Sequence, residues 1–179
     1  MSNTRTCFTD MVMVMPETKN RKDTVVTIAV TVIAVLLIAY NIFSYYGAHL
    51  SLPGKEIKEI QGVDPLSNKT ISIDVSSGTV IINFWATWCG ACVQEMPELT
   101  NISAKYKTIG VIKRPFKKED LIEHDPKFQN ILPEDSFFDE KSISVIPTTL
   151  LLQDGIVKKV HTGTISSETV EGWVRSLNE

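Results

Sequence analysis

The chain of 179 residues is short of cysteine and histidine, and its net charge is only −3. Three cysteines, Cys7, Cys89 and Cys92, form one close pair and a remote single residue, which is not a disulfide framework. There is no second C-x-x-C, and His49, His124 and His161 show no H-x-x-x-H spacing, so a zinc site lacks its partners. The three histidines read as surface residues. Mild acidity gives no reason to expect nucleic acid. No nucleotide or flavin motif is present. Cys7 has no apolar run before it, so it does not fit a lipobox and reads as an unremarkable thiol.

A second absence is local. From Thr24 to Ala48 there is no charged residue. About 20 apolar residues span a bilayer as a helix, and Val25 to Tyr40 supplies the heart of such a run. Tyr40, Phe43, Tyr45 and Tyr46 at its far end suit an interfacial aromatic belt. Lys19, Arg21 and Lys22 precede it, and a mixed-charge segment follows, which places the N-terminus in the cytoplasm. A cleaved signal peptide is the alternative, but its apolar region would be shorter, and Tyr46 spoils the small-x-small pattern ending at Ala48. The expected organisation is a polar tail over 1–23, a transmembrane helix over 24–48, a linker and domain start over 49–69, and one folded domain over 70–179. Met11, Met13 and Met15 are alternative starts within the tail.

What the chain does have is Ile81-Ile82-Asn83-Phe84-Trp85-Ala86-Thr87-Trp88-Cys89-Gly90-Ala91-Cys92. An apolar strand runs into a short turn, and a helix opens on two cysteines. Cys89 at the helix start meets unpaired N–H groups and the macrodipole, which favour a thiolate. The thiolate is the nucleophile in disulfide exchange. Cys92, three residues on, can attack a mixed disulfide at Cys89 and release the product. A structural disulfide is the bland reading, but closing so small a loop gains little chain entropy.

Around this stretch the periodicities predict a short strand near Glu56 to Ile60 within the linker and a strand over Thr70 to Val75. A central strand covers Thr79 to Trp85, and a helix follows Cys92 to about Tyr106 with Met96, Leu99, Ile102 and Tyr106 on one face. A strand over Thr108 to Ile112 completes a parallel βαβ unit. A short helix over Lys117 to His124 and a loop over Pro133 to Glu140 come next. Then follow a strand over Thr149 to Leu152, a turn at Gln153-Asp154-Gly155, a return strand over Ile156 to Thr162, and a last helix opened by Ser166.

The segment N-F-W-A-T-W-C-G-A-C resembles the active site of the thioredoxin superfamily. With Glu95 three residues after Cys92 and Pro97 two later, it is similar to the membrane-anchored TlpA/ResA-like thiol-disulfide oxidoreductases. The likeness covers Leu52 to Asn178. It implies an α/β thioredoxin fold, βαβ plus ββα around a mixed central sheet, preceded by a single N-terminal transmembrane helix. It further implies that Pro147, after Ile146 and before Thr148, is a cis-proline facing the cysteines and exposing backbone for an extended substrate. Trp88 would shield the disulfide and contact partners, whereas Trp85 would pack.

Asn83 stands where many cytoplasmic thioredoxins carry a buried aspartate. The resemblance assigns acid–base work to Glu95 instead; the other reading of Glu95 is a solvated first-turn glutamate. Gly90-Ala91 departs from the family, where proline is common in the second position, so the potential is left open. The implied protein is a protein disulfide reductase at the bacterial cytoplasmic membrane, single-pass, with its domain facing the periplasm or cell exterior. Its implied substrate is a protein disulfide, such as the C-x-x-C-H pair of apocytochrome c, and its implied donor is a membrane thiol carrier. No cofactor beyond the Cys89–Cys92 pair is expected. An oxidase or isomerase of the same fold, or a non-catalytic tethered adaptor, are the alternatives.

Overall fold

The computed structural model describes residues 21–50 and 52–177, the stretches 21–23 and 44–50 by their backbone alone. The expectations for residues 1–20, Cys7 and the alternative starts lie outside the described residues, as do those for the side chains of Tyr45, Tyr46 and His49. The chain divides into two units, Met1–Ile42 and Phe43–Glu179.

Helix α1 runs Arg21–Leu50. It starts three residues before the uncharged run and continues past Ala48. Its 20-residue section Thr24–Phe43 has a mean hydropathy of 2.5. Apolar side chains point outward all round it, Val26, Ile33 and Leu36 among them. A helix apolar on every side is stable in hydrocarbon or in a core, not in water.

The second unit is built on a five-stranded mixed sheet in the order β5 (Gln129–Ile131), β4 (Lys107–Ile112), β3 (Thr79–Trp85), β6 (Thr148–Gln153), β7 (Ile156–Thr162). Strand β3 (Thr79–Trp85) lies at its centre, where an almost unbroken apolar run belongs. It pairs in parallel with β4 (Lys107–Ile112) and antiparallel with β6 (Thr148–Gln153). Strand β7 (Ile156–Thr162) returns beside β6 through a turn in which Asp154 and Gly155 have φ of 52° and 75°. Asp-Gly tolerates two consecutive positive φ values, so the hairpin is written into the local sequence. A separate two-stranded ribbon joins β1 (Glu59–Val63) to β2 (Thr70–Asp74).

The sheet is covered on both faces. Ile82, Phe84, Val111, Ile131, Leu150 and Phe138 share one core. Ile81, Trp85, Cys92, Leu99, Leu151 and Val170 share the other. Side chains alternate along β3, so Asn83 falls between Ile81 and Trp85 on the second face.

Four expectations need correction. The helix after the cysteines is two helices, α2 (Gly90–Gln94) and α3 (Met96–Ser103), interrupted at Glu95. Pro97 explains the break, because its ring and missing N–H are tolerated only in a first turn. The strand placed near Glu56 to Ile60 sits at Glu59–Val63, where it pairs with β2. Pro133 to Glu140 is not all loop: α5 (Ser136–Glu140) buries Phe138 against Phe84, with ring centroids 5.5 Å apart. Strand β5 (Gln129–Ile131) was not foreseen, and it exists through parallel pairing with β4. Helices α4 (Lys118–His124) and α6 (Ser167–Ser176) lie within a residue or so of their expected places.

Candidate active site

Strand β3 ends at Trp85, and the chain turns through Ala86–Trp88 into α2. The Cys89 N–H donates to the Ala86 carbonyl at 3.1 Å. Cys89 is the N-cap of α2, and its Sγ accepts from the Cys92 N–H at 3.2 Å. The two cysteines are joined in a disulfide, Cα–Cα 5.2 Å. Cys89 is half-buried and Cys92 fully buried. Their environments are therefore unequal: one sulfur lies within reach of a partner and the other faces the core. The sulfur at the helix start also lies where N–H groups stabilise a thiolate.

Glu95 lies at the break between α2 and α3 and is only 2% exposed. It is not a solvated first-turn residue. One carboxylate oxygen, Oε1, accepts from Asn83 Nδ2 at 2.9 Å, and Oε2 accepts from the Ile165 N–H at 3.0 Å. Burial pushes its carboxyl above the ordinary 4.5, and the bonds from Asn83 and Ile165 work against that rise. Asn83 also donates to Thr149 Oγ1 at 3.0 Å. Glu98, one turn further along, accepts from the Ser167 N–H at 2.7 Å, which lowers its carboxyl. A pair of carboxylates thus holds the loop leading into α6.

The Ile146–Pro147 peptide is cis, as is Arg114–Pro115. Thr148 pairs with Phe84, which brings this segment beside the end of β3. Ile146 and Cys89 pack against the same apolar cluster. Trp88 is 54% exposed, Ile146 half-buried, and Pro147 and Thr148 buried. The Pro147 carbonyl accepts from the Gly163 N–H at 2.8 Å, and Thr148 Oγ1 donates to the Val145 carbonyl at 2.8 Å. Trp85 is buried and donates through Nε1 to Asn130 Oδ1 at 3.0 Å. Gly110 makes room for that bond, since a Cβ there would fall 2.1 Å from Asn130 Oδ1.

Two of the histidines at the surface are partly covered and make main-chain contacts. His124 is half-buried, with Nε2 3.1 Å from the Thr87 carbonyl, two residues before Cys89. Asp120, one turn earlier on α4, approaches Thr87 Oγ1 at 3.5 Å. His161 is half-buried, with Nε2 3.0 Å from the Thr164 carbonyl. Sequence reasoning missed the Thr149–Asn83–Glu95 chain of hydrogen bonds, and α4 as a support of the active-site turn. Both are contacts between distant elements. The one local signal was a polar Asn83 inside an apolar strand.

The family model described as Thioredoxin matches residues 62–176. The chain is 26% identical over 157 residues to the Thioredoxin-like protein YneN of Bacillus subtilis, covering 78% of this chain and 92% of that one. It is 30% identical over 108 residues to the thiol-disulfide oxidoreductase ResA of Geobacillus kaustophilus, covering 55% and 62%. To ResA of Halalkalibacterium halodurans it is 27% identical over 161 residues, covering 82% and 92%. Among solved structures, StoA from Bacillus subtilis superposes with a TM-score of 0.56 at 20% identity, over 67% of this chain and 99% of that one. A DsbF homologue from Corynebacterium diphtheriae superposes with a TM-score of 0.59 at 20% identity, over 69% and 87%. These two likenesses establish the fold.

Proposed function

This chain belongs to the thioredoxin family and is a thiol-disulfide oxidoreductase of protein disulfides, and from that premise we propose that it is a membrane-tethered, extracytoplasmic reductase. The observation that carries this reading is the Cys89–Cys92 disulfide at a helix start with a buried carboxylate at the helix's other end.

In the reduced protein Cys89 is the nucleophile. Its thiolate attacks one sulfur of the substrate disulfide, and the other substrate sulfur leaves as a thiolate. Cys92 then gives its proton to the Glu95 carboxylate and attacks the Cys89 sulfur. The Cys89–Cys92 disulfide forms, the substrate's remaining thiolate leaves, and Glu95 returns the proton to it. Two electrons have passed to the substrate. Trp88 and Ile146 supply apolar contact, and the main chain at the cis Ile146–Pro147 peptide, just before the paired strand that begins at Thr148, is the edge offered to an extended substrate. The proposed substrate is the C-x-x-C-H disulfide of apocytochrome c, and the proposed electron donor is a membrane thiol carrier. The tether is the apolar section Thr24–Phe43.

The test is the reduction potential together with reduction of an oxidised C-x-x-C-H peptide. A potential near the thioredoxin value of about −270 mV and turnover of the peptide are expected. A potential near about −120 mV would make the protein an oxidase. Failure to reduce insulin or the peptide, with the cysteines intact, would favour an adaptor.

A further inference from the structure

We propose that Asn83, held in place by Thr149, is the positioning residue of the proton-transfer step: its amide nitrogen fixes one oxygen of Glu95 and keeps that carboxylate ready to accept. This rests on the reading of Glu95 as the proton carrier. The starting observation is an oddity in a core. Asn83 is fully buried, yet its Oδ1 has no hydrogen-bond partner among the described residues. Buried polar atoms are nearly always paired, and an unmade bond costs more than a made one gains. Turning the amide through half a revolution would offer Oδ1 to Glu95 and to the Thr149 hydroxyl. The structure has the opposite orientation. Both N–H groups are committed, one to Glu95 Oε1 at 2.9 Å and the other to Thr149 Oγ1 at 3.0 Å.

That choice reveals what stands opposite. Two donors aimed at Glu95, the Asn83 amide and the Ile165 N–H, suit an acceptor at each oxygen. The Ile165 donor is backbone and fixed by the fold. The Asn83 donor is a side chain that could rotate away, and Thr149 on β6 is what holds its plane. Hydrogen bonds to the charged form of an acid favour that form. Asn83 therefore counteracts burial, which on its own pushes the Glu95 carboxyl further up. An amide suits this position because it donates without ever titrating.

The other groups bearing on Glu95 can be named. Glu98 on α3 and His161 on β7 line the same cavity of about 410 Å³ as Glu95. On α2 the neighbours are Cys89 and Cys92, which do not titrate as a disulfide. The strands β3 and β6 present Asn83 and Thr149, neither ionisable. The oxidised protein thus isolates the effect of Asn83 on Glu95 from the thiols.

The experiment follows the ¹³C shift of the Glu95 carboxyl against pH in oxidised full-length protein, labelled at glutamate and assigned with Glu95→Gln. Asn83→Leu should raise the Glu95 midpoint by about one pH unit, a tenfold change in proton affinity. Asn83→Asp keeps the shape if Leu fails to fold; two facing carboxylates should then titrate as a coupled pair with the upper midpoint higher still. Thr149→Val should move the midpoint the same way by less. In reduced protein the pH profile of Cys89 alkylation should shift downward in Asn83→Leu, because a neutral Glu95 no longer repels the thiolate, and not in Asn83→Leu combined with Glu95→Gln. An unmoved Glu95 midpoint in Asn83→Leu or Asn83→Asp overturns the proposal. So does a shift in alkylation that persists without Glu95. If instead Glu95→Gln alone leaves reductase activity unchanged, Glu95 is not the proton carrier, and the carboxyl titration still reports whether Asn83 sets its proton affinity.

Discussion

A carboxylate at 2% exposure is expensive unless donors hold it, and Glu95 has two. Its carboxyl is raised above 4.5 by burial. The folded protein therefore holds this proton to higher pH than the unfolded chain does. The stabilisation from protonation is complete below the unfolded value and is lost as pH rises through the folded one. Wild-type oxidised protein should show a falling Tm over that window, and Glu95→Gln should lack this part of the slope; thermal melts across pH 4 to 9 compare the two. In the reduced enzyme the same variant should slow disulfide reduction by about 10²-fold, the lower end of what a positioned acid–base group supplies. The cysteines divide their labour by burial. Cys92→Ala, which leaves the half-buried sulfur, should accumulate mixed disulfides with substrate. Cys89→Ala should accumulate none. Non-reducing gels after mixing with an oxidised substrate separate the two cases, and equal trapping would contradict the assignment.

At the scale of elements, the pieces that could be read from the sequence are those whose causes are local. The apolar run of β3, the Asp154-Gly155 hairpin and the Ser166 cap each carry their reason within a few residues. Ser166 Oγ accepts from the Thr169 N–H at 3.3 Å, and Ser166→Ala should cost about 1 kcal/mol. For a domain of this size that is a fall in Tm of roughly 3–5 °C, measurable by calorimetry. What could not be read depends on partners far along the chain. Strand β5 is three residues of ordinary propensity that pair with β4. Helix α5 is fixed by Phe138 meeting Phe84. Pro97 was visible, but the consequence of the break was not. Glu95 is buried because the Ile165 N–H, 70 residues away in sequence, closes over it. The cysteine pair was legible because its chemistry needs only spacing and a helix start. The Asn83–Glu95–Thr149 set was not, because three elements contribute one residue each.

At the scale of the whole molecule, the proposed tether makes a prediction about the side of the membrane on which the chemistry takes place. A helix rises 1.5 Å per residue, so the 20 residues of Thr24–Phe43 match a hydrocarbon core of about 30 Å. Exposed valine, isoleucine and leucine side chains around α1 have no aqueous solution. Orientation follows from charge near the ends. Lys19, Arg21 and Lys22 precede the span, whereas Lys55, Glu56, Lys58 and Glu59 after it carry no positive excess. Basic residues stay on the cytoplasmic side, so the C-terminal unit is expected outside. Alkaline phosphatase, which gains activity only after export, should be active when fused after Glu179. A green fluorescent reporter at the same place should be dark when exported through the general secretory route. Changing Lys19, Arg21 and Lys22 together to glutamate should lower the phosphatase signal by removing the bias that sets the orientation. A phosphatase fusion that is inactive while the fluorescent one is bright would place the cysteines in the cytoplasm. Recovery of a mature protein beginning near His49 would show cleavage in place of a tether, since the proposed anchoring requires that α1 stay uncleaved.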